Sequence, residues 1–188
     1  MGLKRYKATD LTVLLVIMCA IEGLSLFILK RVGSQFYVSV IVPITLIVYM
    51  RWGLYGLIHA AVGGLLETVV ITYLNGDMTA AIVARSAAVY GFGYLSTAAA
   101  MLLFIKGKNF VTGNLWITLL YAFIAFAAMC IGRSVIATTF GENFFEILPE
   151  YLTREALNFV FTFIILWIAR KQKTFFTDQK EYYFSVRK

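Results

Sequence analysis

The sequence predicts an all-α integral membrane protein, a bundle of six transmembrane helices with both termini in the cytoplasm. Three observations carry that expectation. Hydrophobic residues make up 61% of the 188, and the mean hydropathy is +0.81, more apolar than a water-soluble core of this size requires. Apolar stretches of about 20 residues, enough to cross roughly 30 Å of hydrocarbon, recur along the chain. Lysine and arginine gather in alternate connections.

The stretches fall near 11–30, 35–50, 53–75, 79–105, 113–139 and 148–170. The second is short and contains Pro43, and only Arg51, Trp52 and Gly53 separate it from the third. A re-entrant 35–50 would reduce the count to five. The opening "MGLKRYKATD" has the basic flank of a signal sequence, but the apolar run behind it is too long and lacks a small-x-small cleavage pattern, which makes it a retained signal anchor. Residues 1–170 form one six-helix transmembrane domain. Residues 171–188, "KQKTFFTDQKEYYFSVRK", form a basic, aromatic cytoplasmic tail suited to the headgroup layer or to a partner protein.

Orientation follows from the short connections. Lys4, Arg5 and Lys7 precede the first span, Arg51 lies between the second and third, and Lys106 and Lys108 lie between the fourth and fifth. Arg170, Lys171, Lys173, Lys180, Arg187 and Lys188 follow the sixth. All fall on one side; Lys30 and Arg31 oppose them, and the loops near Asp77 and near Glu142, Glu146 and Glu150 are neutral to acidic. The net charge of +7 is therefore a topology signal and an attraction to anionic lipid, not a nucleic-acid footprint.

With the termini inside, a rise of about 1.5 Å per residue places Glu67, Arg85 and Arg133 in the outer thirds of the third, fourth and fifth spans, and Arg154, Glu155 and Asn158 in the outer third of the sixth. Charged groups in a membrane domain face the bundle interior or a watery cavity, since facing lipid costs at least ~2.5 kcal/mol at mid-bilayer. These residues are expected to converge. Either Glu67 and Glu155 neutralise two arginines in buried pairs while Arg154 snorkels, or the third arginine leaves a positive charge for a bound anion. Tyr90 and Tyr94, flanking Gly91 and Gly93, admit either a flat ligand or a neighbouring helix. Gly56, Ala60 and Gly64, with Ala80, Ala84 and Ala88, form smooth faces for helix contact.

His59, the single histidine, lies in the inner third and reads as a satisfied buried imidazole; Glu22, mid-span, must be paired or protonated. Cys19 and Cys130 lie within spans and indicate neither a disulfide nor a metal site. No metal motif, nucleophile elbow or phosphate-cradling glycine loop is present, so no enzyme chemistry is expected of this chain, and any ATP would be hydrolysed by partner subunits.

The stretch "IVPITLIVYMRWGLYGLIHAAVGGLLETVV" (41–70), with Pro43 turning through "RWGLYG" into a glycine-rich span, resembles the substrate-binding S component of energy-coupling factor (ECF) vitamin transporters. The resemblance implies high-affinity capture of a vitamin or cofactor precursor from outside a bacterial plasma membrane, in a pocket built from spans four to six. It also implies docking on a transmembrane coupling subunit and two cytoplasmic ATPases, with no cofactor bound by this chain. Arg85, Arg133, Arg154, Glu155, Asn158, Glu67, Tyr90 and Tyr94 are then the candidate binding residues, for a ligand with an anionic group. The family's Ala-x-x-x-Ala docking face is replaced by Cys19 and Gly23. Alternatives are a structural scaffold resembling cell-shape components and a proton-coupled secondary transporter, the latter disfavoured by the lack of an internal repeat.

Overall fold

A computed structural model describes residues 2–32, 38–76, 78–172 and 174–186. The start of the expected second span, together with Asp77, Lys173, Arg187 and Lys188, lies outside the described residues. The described chain is all helical. Helix α1 covers Leu3–Val32, α2 Ile41–Trp52 and α3 Gly56–Asn75; α4 covers Ala80–Ser96 and continues as a tighter 3-10 segment over Thr97–Lys106. A short α5 (Lys108–Gly113) leads into α6 (Leu115–Thr138), α7 (Phe144–Lys171) and the C-terminal α8 (Gln179–Val186).

Among the described residues, five apolar helical segments are long enough to cross a membrane, where six were expected. The difference lies in α2. Its 12 residues span about 18 Å, well short of a roughly 30 Å hydrocarbon layer, whereas the 20 residues of α3 suffice. At Gly53, whose φ of +62° suits a residue without a side chain, the chain folds back on itself. A Cβ on Gly63 would lie 2.2 Å from Ile41 Cγ2, although the two positions would be about 33 Å apart along one straight helix. All twelve residues of α2 are buried, so this half-length helix is the centre of the bundle.

Around it the long helices turn apolar side chains outward. Val16, Leu24, Leu65, Val69, Leu102, Ile131, Val160 and Ile168 are all exposed, which a bilayer satisfies and water does not. The chain is a multi-pass, all-helical membrane protein. Small residues set its tightest seam: a Cβ on Gly64 of α3 would sit 2.5 Å from the Cα of Gly91 on α4, so the two backbones touch.

The start of α1 and the α8 segment lie at one end, with the basic connections. Arg51 donates to both carboxylate oxygens of Asp10 at 2.8 and 2.6 Å, and its third nitrogen donates to the Phe175 carbonyl at 2.6 Å. Tyr6 donates to Gln179 at 2.7 Å, Lys108 pairs with Asp178 at 2.5 Å, and Phe176 is buried. The C-terminal segment is thus docked on the bundle rather than trailing from it.

Burial acts to raise the Asp178 carboxyl, but the Lys108 ammonium and the backbone N–H groups of Glu181 and Lys180 outweigh it and hold the carboxyl below the usual aspartate range. Its stabilising contribution is therefore complete above the ordinary aspartate value of about 4 and is lost as pH falls through the lowered value. Asp178→Asn should melt below wild type near neutral pH, with the gap closing as pH falls below the ordinary aspartate range. A gap independent of pH would show that this pair gives no charge-dependent stability. At the helix seam, Gly64→Val should lower stability by about 1–3 kcal/mol by overpacking, measured as thermal unfolding in detergent; an unchanged midpoint would mean that α3 and α4 part freely.

Candidate functional site

Deep in the bundle, toward the end opposite the termini, α6 carries Arg133 with no solvent exposure at all. Its position is made possible by glycine: a Cβ on Gly93 of α4 would lie 2.4 Å from Arg133 Cγ, so the side chain runs through the space which that residue leaves. Gly132 plays the same part between α6 and α4, where a Cβ would meet Ser96 Oγ at 2.4 Å. The guanidinium donates to Glu155 of α7 at 2.5 Å and to Glu67 of α3 at 3.3 Å. Tyr94 of α4 donates its hydroxyl to the same Glu67 oxygen. The rings of Tyr90 and Tyr94 cover the cation, their centroids 4.7 and 4.9 Å from the guanidinium carbon.

The network then runs across the bundle. Asn158, one turn beyond Glu155 on α7, donates to its second carboxylate oxygen at 2.7 Å and accepts from the backbone N–H of Ser39 at 2.9 Å. Ser39 Oγ donates to Glu22 of α1, and the same Glu22 oxygen accepts from Val40 and Ile41 N–H at 2.9 and 3.3 Å. These amides open α2. A helix that starts inside a membrane domain leaves orphan donors, and here two side chains from two other helices take them up. The carboxylate also faces the positive end of the helix dipole.

Of the residues expected to converge, Glu67, Tyr90, Tyr94, Arg133, Glu155 and Asn158 do so. Arg85 and Arg154 do not. Arg85 pairs with Glu142 in the α6–α7 connection, half exposed, and lies beside the Phe140 ring at 5.8 Å. Arg154 is exposed on α7, with no ion pair among the described residues. The expected surplus of buried arginine is therefore reversed: one buried guanidinium stands among three buried carboxylates, Glu22, Glu67 and Glu155. Asn158 and Glu155 share a face with the core, whereas Arg154, a neighbour in sequence, is turned about 100° away by the helix and meets the surroundings.

An open cavity of about 280 Å³ adjoins this cluster, lined by Ile82, Arg85, Ser86, Val89 and Tyr90 of α4 and by Tyr151 of α7. Tyr90 belongs to both, its ring against Arg133 and its side chain in the cavity lining. Ser39 and Tyr151 were not singled out by sequence reasoning. Tyr151 stands four positions before Glu155, on the same helical face, and that spacing is a usable signal. Ser39 offers none, because its partners arrive from α1 and α7.

No family model matches the chain, and neither a curated protein nor a solved structure matches it. The remaining expected positions are placed as follows. Cys19 is half-buried and Gly23 exposed on α1, with nothing near the position that a Gly23 Cβ would take. His59 is buried, its Nε2 3.1 Å from the Leu11 carbonyl.

Arg133→Met should destabilise the protein by about 3–5 kcal/mol, because it strands Glu67 and Glu155 without their counter-charge. Adding Glu67→Gln and Glu155→Gln to that variant should recover much of the loss. Chemical unfolding in detergent reads both; equal destabilisation with and without the glutamines would show that the ion cluster is not what Arg133 supports.

Proposed function

We propose that this protein is a membrane-embedded binding subunit that captures a small vitamin or cofactor precursor bearing an anionic group, for uptake driven by partner ATPases. The cavity beside Arg85 carries the reading. Among the described residues the one ion pair of Arg85 is the half-exposed pair with Glu142, weak enough for a ligand carboxylate or phosphate to take over the guanidinium. Tyr90 and Tyr151 supply ring faces for an apolar body, and Ser86 a hydroxyl. Arg133, with Glu67, Glu155, Asn158 and Tyr94, serves as the rigid floor that fixes Tyr90 rather than as a ligand contact.

In this reading the basic end is cytoplasmic by the positive-inside rule, so the cavity opens on the outside. The resemblance of residues 41–70 to ECF S components supports the same assignment, with a coupling subunit and two ATPases as partners. Open space beside Gly23 on α1 gives a neighbouring helix room for close approach there. A structural scaffold is the competing reading, favoured by the internal pairing of Arg133, and it requires no small-molecule ligand.

Native mass spectrometry of the gently purified protein decides between them. A copurified small molecule together with coupling and ATPase subunits is expected, and Arg85→Ala and Tyr151→Ala should each weaken binding by about tenfold, the first by losing a charge-assisted contact and the second by losing an aromatic one. A protein that binds none of a vitamin panel and copurifies with cell-wall partners would be a scaffold.

A further inference from the structure

At the opposite end of the bundle, a second cavity of about 350 Å³ lies among the start of α1, the α2–α3 bend, the start of α5 and the start of α8. That volume falls at the lower end of the roughly 300–1,000 Å³ typical of small-molecule sites. Four chain segments bring cations to it. Arg51 and Lys108 are spoken for: Asp10 takes the first in a two-pronged pair, and Asp178 the second. Lys4, Lys7 and Lys180 line the same cavity and have no carboxylate partner among the described residues.

We infer that this cavity is a binding site for a phosphate-bearing anionic headgroup, with Lys4, Lys7 and Lys180 as its ligating cations. Asp178 also lines the cavity but is already taken by Lys108, so three ammonium groups around one concavity leave a surplus positive charge that an anion would satisfy. The walls are built to keep them there. Trp52 donates its indole N–H to Asp10 at 2.5 Å, which ties the α2 end to α1, and Lys108–Asp178 ties α5 to the start of α8. Lys7 lies over the Tyr55 ring at 3.9 Å, which restrains it while leaving its charge unneutralised.

The chemistry favours phosphate. Lysine ammoniums are compact point charges, each with three rotatable donors, and suit an anion whose charge is spread over several oxygens, as a phosphate's is. The location favours a lipid as its carrier. The cavity sits at the basic, aromatic-rich end of the membrane helices, where Trp52 and Tyr55 match the interface and where phospholipid phosphates are concentrated. This site is separate from the Arg85 cavity and does not depend on the transport reading.

The test is native mass spectrometry of the full chain, released from nanodiscs of phosphatidylglycerol and phosphatidylcholine in equal amounts. Phosphatidylglycerol should be retained in preference, and the Lys4→Gln, Lys7→Gln, Lys180→Gln triple variant should lose at least about tenfold of that retention. A control removing the same charge outside the cavity, Arg5→Gln, Lys106→Gln, Lys171→Gln, should keep it. Equal loss in both triple variants, or retention that the cavity triple leaves unchanged, overturns the site in favour of diffuse surface attraction. Competition by millimolar inorganic phosphate, with no preference among lipids but sensitivity to the cavity triple alone, would assign the same site to a free phosphate ester.

Discussion

The buried guanidinium of Arg133 organises the upper half of this bundle. A cation with no solvent contact inside a membrane domain is tolerated only with counter-charge and hydrogen bonds in place, and α3, α4 and α7 each contribute to that environment. Because lipid tails are as apolar as the helix surfaces, no hydrophobic drive distinguishes one packing of these helices from another. Charge pairing and close glycine contacts provide the distinction instead. Gly93 and Gly132 matter for the same reason as Glu67 and Glu155: they let the arginine lie where its partners are.

The half-length helix α2 depends on the same network. Its opening amides lie about 18 Å from the basic end, well inside the slab, and would be unsatisfied against hydrocarbon. Glu22 and Asn158 take up those donors, and Asn158 is itself fixed through Glu155 on Arg133. One continuous polar chain thus links α1, α2, α7, α6 and α3 across an otherwise apolar core. A change in how α7 sits would be felt at the start of α2, which gives the site a physical route to the segment that precedes α2.

The two ends of the molecule differ in kind. One carries a half-exposed Arg85–Glu142 pair beside a cavity with tyrosine walls; the other carries several cations, contributed by α1, α2, α5 and α8. Ion pairs at the second end join elements distant in sequence, including the C-terminal segment, so that end is held as a built surface rather than as loose loops.

The sequence by itself determined the solvent, the helical class and most helix positions. Apolar length and charge-poor runs report directly on the bilayer, and the spans expected at 53–75, 113–139 and 148–170 are the helices Gly56–Asn75, Leu115–Thr138 and Phe144–Lys171. It also named most of the central cluster, since ionisable groups at one depth in a membrane domain have few places to go. Pro43 and the shortness of its run marked the second span as doubtful, but not as a buried half-helix. Only the tertiary structure decided which of Arg85, Arg133 and Arg154 is buried. Depth along a helix is a one-dimensional quantity, while pairing depends on rotation about the axis and on loop partners such as Glu142. Likewise Glu22, legible only as an isolated carboxylate, became the cap of α2, because its partners are backbone amides that no side-chain pattern reveals.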